Sequence, residues 1–179
     1  MADTPSNNNM VTAAQNAVIQ LGSIYKALSA LNPGIINASD VNGTTTNDNS
    51  AAGKLGEVIR SEIASGSAVS LTNATPANVT SILLTPGDWD VDAWVCLLPA
   101  GTTTASSILC SISQTSATLG NYLSSLIGLS VPAGQKTSLP CVTQRISIST
   151  GTTLYLVAQS NFAVSTMGAY GFIAARRAR

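Results

Sequence analysis

From about residue 54 to the C-terminus, apolar and polar residues alternate in short runs, and turn formers cut those runs at short intervals. Successive side chains of an extended chain point to opposite faces, so this period of two is the pattern of half-buried strands. The runs cover 67–72, 78–84, 89–98, 106–113, 126–131, 142–149, 154–160 and 163–174, the last long enough for two strands. Asn73 to Pro76, Thr85 to Asp88, Pro99 to Gly101, Pro132 to Gly134 and Thr150-Gly151 supply the turns. Residues 54–63 fit two patterns, since Leu55, Ile59 and Ile63 could share one face of a helix or of a strand; the strand is favoured. Many short strands with turns at such spacing predict a mainly β domain, an antiparallel β-sandwich that is jelly-roll-like.

Face assignments follow from the same alternation. Ile108, Cys110 and Ile112 share one face of their strand, as do Ile146 and Ile148 of theirs, and Trp89 is expected in the core. The segments 154–158 and 170–174 are instead apolar on both faces. A strand apolar on both faces needs cover on both. In a two-layer sandwich a neighbouring subunit is the expected outer cover. Tyr155, Val157, Tyr170 and Phe172 are therefore candidate inter-subunit positions, and Trp94, on the strand face opposite Trp89, joins them because an amphipathic ring suits an interface.

The N-terminal part has a different period. Met10, Ala14, Ala17, Leu21, Ile24, Leu28 and Leu31 recur at alternating spacings of four and three, the a/d seam of a coiled coil over three heptads. A helix over 10–31 is predicted, with Asn7 to Asn9 as caps and Asn32-Pro33-Gly34 as its stop. A helix of this length is marginal alone. Its seam (Ala14, Ala17, Leu21, Ile24, Leu28 and Leu31) pairs with identical helices, docks on another protein, or packs on its own domain. The expected organisation is a tail and helix over 1–34 serving as attachment or stalk, a turn-rich linker over 35–53, and a β-sandwich knob over 54–179.

Composition narrows the chemistry. The chain has no histidine, which excludes a Ser-His-Asp triad and a His-bearing zinc motif. No phosphate-binding loop is present, because Gly53-Lys54 lacks both the spaced glycine and the following Ser or Thr. No catalytic, cofactor or metal site is expected. Asp88, Asp90 and Asp92 share one strand face, but carboxylates two residues apart on a strand lie roughly 6–7 Å apart, with no wrapping loop to complete a calcium site. The same side-by-side placement disfavours a glycosidase pair. Net charge is zero, which argues against nucleic acid as a partner. Apolar runs are too short for a membrane span, and no basic residue precedes Lys26, so a secretory signal is not expected. Cys96, Cys110 and Cys141 read as reduced, buried small hydrophobes, with an inter-subunit disulfide as the alternative. Arg176, Arg177 and Arg179 read as a solvated end, a partner for carboxylates such as Asp90 and Asp92 of a neighbour, or a contact for anionic glycan or lipid.

Only 9% of residues are charged while mean hydropathy is +0.28. A free monomer ordinarily carries a more charged surface, so part of this surface is expected to be covered by copies of the chain or by other proteins.

Three strings carry a family resemblance: residues 46–59, with Gly53-Lys54-Leu55-Gly56-Glu57; residues 84–91, with Pro86-Gly87-Asp88-Trp89; and residues 169–177, with Tyr170-Gly171-Phe172-Ile173. Together they resemble a domain of virion structural proteins from tailed bacteriophages and prophages, fibre- or decoration-like, over roughly residues 44–179. The resemblance implies a non-enzymatic virion component: a β-sandwich knob, homotrimeric, assembled in the bacterial cytoplasm. Its implied partners are further copies of itself and virion proteins of capsid, collar or tail. A receptor-binding, lectin-like tip is the alternative, contacting host-surface glycans through loops 99–105, 114–125 and 132–138.

Overall fold

The computed structural model describes residues 7–31 and 46–179. Two compact units divide the chain, Met1–Thr45 and Thr46–Arg179.

In the first unit, helix α1 spans Asn7–Leu31. Asn7 to Asn9 form its first turn rather than preceding it as caps. No acidic residue lies in that turn and no basic residue in the last, so neither end of the helix dipole is compensated by charge. Gly22 in mid-helix costs about 1 kcal/mol relative to alanine. Residues 35–45 of the expected linker lie outside the described residues.

The second unit holds ten strands: β1 (Val58–Ile63), β2 (Val69–Leu71), β3 (Ala77–Leu84), β4 (Gly87–Pro99), β5 (Thr104–Ser113), β6 (Leu123–Val131), β7 (Thr137–Pro140), β8 (Gln144–Ile148), β9 (Thr152–Ala163) and β10 (Met167–Arg177). All pair antiparallel. In the first sheet β10 and β4 are central. β1 and β2 pair with β10 in tandem, and β7 and β8 pair with β4 in tandem. The second sheet runs β3-β9-β5-β6. Each tandem pair is one strand interrupted: Ser65–Ser67 forms a short 3-10 turn between β1 and β2, and residues 141–143 separate β7 from β8. Counted so, eight strands form two four-stranded sheets, and the chain passes between sheets at every connection but β5–β6. That is jelly-roll topology, and the mainly β sandwich with one N-terminal helix matches the expectation.

Individual elements differ from the reading of the sequence. Residues 54–63 hold a turn followed by β1, which resolves the helix-or-strand ambiguity for 58–63. β7 was not expected, because Thr137-Ser138-Leu139-Pro140 offers one apolar residue and a proline. Residues 163–174 form no second strand: β9 extends through Ala163, and β10 is single and continuous. Residues 46–53, assigned to the linker, are tied to the sandwich. The Asn49 side chain donates to the Val58 carbonyl (2.7 Å) and accepts from the Val58 N–H (2.8 Å).

The core lies between the sheets. Trp89, Val91, Ala93, Val95 and Leu97 of β4 face Leu154, Leu156 and Ala158 of β9 and Ile108, Cys110 and Ile112 of β5, all buried. The Trp89 indole N–H donates to the Thr85 carbonyl at 3.0 Å, so the ring is buried without an orphan donor. Gly171 has φ +152°, and a Cβ there would run into the Trp94 carbonyl oxygen, so β10 and β4 approach closely only because this residue is glycine.

Candidate assembly surfaces

On α1 every described side chain, residues 12–27, is exposed. Leu21 is 66% and Ile24 60% exposed, and Ala14 and Ala17 share their line. Leu28 and Leu31 belong to the helix, but their side chains lie outside the described residues. Val18 and Tyr25 each follow a d position and so occupy e positions; they too are exposed. The apolar stripe is thus a/d/e, wider than the strict a/d seam of a two-stranded coil. The e positions were not singled out from the sequence, although their heptad places were readable.

The outer face of the first sheet carries Trp94, Tyr170 and Phe172. Trp94 stacks on Phe172 (centroids 6.4 Å apart, 27° between planes) and meets Tyr170 edge-on at 5.9 Å. The Arg60 guanidinium lies 4.0 Å from the Phe172 ring centre and pairs with Glu62 at 2.8 Å. These rings are half-buried by one another, and Cys96 is buried beside Tyr170. The Cys96 thiol and burial raise the Tyr170 hydroxyl above its ordinary pKa.

On the second sheet the expectation fails for Val157. It is wholly buried, yet faces away from the core. Its cross-strand neighbours are Asn78 and Ser111. Asn78 donates to Ser116 Oγ and accepts from the Ala117 N–H, both at 2.7 Å, while the Gly120 N–H donates to Ser111 Oγ at 2.9 Å. Residues 114–121 therefore fold back over this face, and the chain covers Val157 itself. Tyr155 stays half-buried near the edge of that cover.

Charged groups are arranged around the chain's end. Arg177 and Glu57 are both buried, with Nε to Oε2 2.9 Å. Arg177 also donates to the Pro86 carbonyl (3.0 Å) and Thr85 Oγ1 (2.6 Å), and lies 4.3 Å above the Trp89 ring. Gly87 leaves the room: a Cβ at that position would strike the guanidinium. Burial pushes the Glu57 carboxyl up, but the Gly53 N–H, the Arg177 hydrogen bond and the Arg177 charge outweigh it and hold it below its ordinary range. Asp88 accepts from Arg145 (2.6 and 3.1 Å) and Arg179 (2.7 Å). The Arg145 hydrogen bond and charge, helped by Arg179 and opposed by burial, lower its pKa.

These contacts correct one expectation. Arg177 and Arg179 are held by Glu57 and Asp88 of their own chain; Arg176 is exposed, in register with Asp90. The aspartates do not act together either, because Asp88 is saturated by guanidinium groups and Asp92 accepts from Thr143 Oγ1 at 2.7 Å. No cluster able to hold a metal occurs among the described residues. The cysteines are buried free thiols, which leaves none at the surface for a bond between subunits.

The loops expected to form one recognition tip fall at opposite ends. Gly134 N–H bonds the Thr103 carbonyl (3.2 Å), so 99–105 and 132–138 meet, whereas 114–122 lies at the other end of β5 and β6. There a cavity of about 370 Å³ is lined by Gln114, Thr115, Thr118, Tyr122, Gln144 and Ile146 among others. Gln144 Nε2 is buried in the structure and has no hydrogen-bond partner.

No protein-family model matches the chain, and no curated protein matches it. Solved structures similar to it include viral-particle proteins. The T13 infectious bursal disease virus particle aligns at TM-score 0.42 and 9% identity, over 75% of this chain and 35% of that one. The VP2 subviral particle of the same virus aligns at 0.42 and 10%, over 68% and 33%. The chain spans about a third of the length of these proteins, and at such scores the likeness carries no argument about what the chain does.

Proposed function

We propose that the chain is a non-enzymatic virion structural protein of a tailed phage, a trimeric fibre, spike or decoration subunit. It attaches through α1 and displays the jelly-roll domain. The observation that carries this reading is the exposed a/d/e stripe of α1. A lone helix with uncompensated ends and a central glycine is marginal in water, and a stripe three positions wide is buried by a bundle of more than two helices or by a groove. The low charge of the chain and the resemblance of residues 44–179 to phage virion domains support the same reading. Gradient-purified particles from cells producing the chain with its phage test it. The chain should co-migrate with the shell and come off only under denaturing conditions; particles lacking it would contradict the proposal.

A second reading, recognition of host glycan, is favoured by the cavity at residues 112–122. Its named polar lining is uncharged, Tyr122 is 64% exposed, and the buried Gln144 donor lacks an acceptor that a sugar hydroxyl would supply. Glycan-array binding lost in Gln144→Leu supports it; an array without signal removes it.

A further inference from the structure

We propose that Cys110 and Cys141 are a latent cross-link, closing into a disulfide between the two sheets when the protein meets an oxidising medium. Cys110 projects from β5 of the second sheet into the core, and Cys141 follows β7 of the first. Their Sγ atoms lie 2.9 Å apart, inside ordinary non-bonded separation and under an ångström from the roughly 2.05 Å of a disulfide. Small side-chain rotations close that gap. Backbone bonds keep the pair in place: the Cys141 N–H donates to the Ala93 carbonyl at 2.9 Å. Cys96 does not compete, because it faces the opposite side of β4 beside Tyr170.

The chemistry is thiol-disulfide exchange with a low-molecular-weight disulfide such as oxidised glutathione. Cys141 is 7% exposed and Cys110 0%, so Cys141 is the entry point. Its thiolate attacks the reagent disulfide, forming a mixed disulfide and releasing one thiol. Cys110 then loses its proton and attacks the Cys141 sulfur, releasing the second thiol. Two protein thiols are oxidised and one small disulfide is reduced to two thiols. The Cys110 thiol and burial push the Cys141 pKa up, which keeps thiolate scarce and makes closure slow. In a reducing cytosol the pair stays open; outside it, closure is favoured. The bond would span the 31-residue separation that holds loop 114–121, β6 and β7, and closing a loop of this length raises the melting temperature by roughly 10 °C.

The test uses the full chain, incubated with oxidised or reduced glutathione, then alkylated after unfolding and digested with trypsin without reduction. Cleavage at Lys136 parts Cys110, in peptide 61–136, from Cys141, in peptide 137–145. Only a disulfide keeps the two together. The oxidised sample should show one alkylated thiol instead of three, the joined peptide, and the higher melting temperature, all reversed by reductant. Cys96→Ser should retain the joined peptide and Cys110→Ser should lose it. Three alkylatable thiols in the oxidised wild type, a joined peptide that survives in Cys110→Ser, or a disulfide-linked dimer would overturn the proposal. The wild-type thiol count stands even where a variant fails to fold.

Discussion

Truncating Arg177 to alanine removes the side chain that joins three parts of the sandwich. The guanidinium binds Glu57 before β1, Thr85 and Pro86 in the β3–β4 turn, and the face of Trp89. Its loss leaves Glu57 buried, its side chain 7% exposed, while the Gly53 N–H goes on donating to its carboxylate. Breaking a buried pair by removing one partner costs about 3–5 kcal/mol, mostly from the charge left behind. For a unit of this size that lowers the melting temperature by roughly 10–15 °C. Urea unfolding followed by tryptophan fluorescence reads the change, because Trp89 lies under the missing group. The reasoning makes a second demand. Replacing both partners, Glu57→Gln with Arg177→Met, should recover a substantial part of the loss, since an uncharged pair leaves no stranded charge. A cost below about 1 kcal/mol for Arg177→Ala, or a double variant no better than the single, would refute it.

Other perturbations give equally definite expectations. Glu57 and Asp88 have carboxyl pKa values held below their ordinary 4.5 and 3.8; the unfolded chain binds their protons first, so their contribution is complete above those values and lost as pH falls below them, which acid titration of stability measures. Gly171→Ala should destabilise by about 2 kcal/mol or more in urea unfolding, because its Cβ meets the Trp94 carbonyl oxygen at φ +152°. Val164, 79% exposed, holds φ +83°, unfavourable for a β-branched residue, so Val164→Gly should raise stability by about 1 kcal/mol in the same assay. Asn78→Ala removes two bonds to loop 114–121 and should cost about 1–2 kcal/mol, with faster hydrogen exchange at the Ala117 and Gly120 amides.

The sandwich was readable because its strands obey a local rule. Alternation in β4, β5 and β8 marks the inward residues one by one, down to Trp89 inside and Trp94 outside. The failures share a physical origin in contacts between distant segments. Val157 looked like a surface awaiting a neighbour because 154–158 is apolar throughout; its cover, residues 114–121, has no periodic signal and reaches it through Asn78 and Ser111. Arg177 read as part of a solvated tail, yet its partner Glu57 lies 120 residues away. Nothing local links Cys110 to Cys141 either; the crossing of the chain between sheets brings them together. In α1 the reverse holds. The heptad was plain in the sequence, and its exposed a/d/e stripe is what a partner would cover.

The proposed trimer needs an apolar seam, and the a/d/e stripe of α1 is the seam it would use. Static light scattering on the full chain, beside the variant Leu21→Asp with Ile24→Asp, tests it most directly. The account predicts a trimer, three times the 18.2 kDa chain mass, that falls to monomer in the variant while the β-sheet circular dichroism is unchanged. A full chain that remains monomeric at micromolar concentration, or a trimer indifferent to both substitutions, would contradict it.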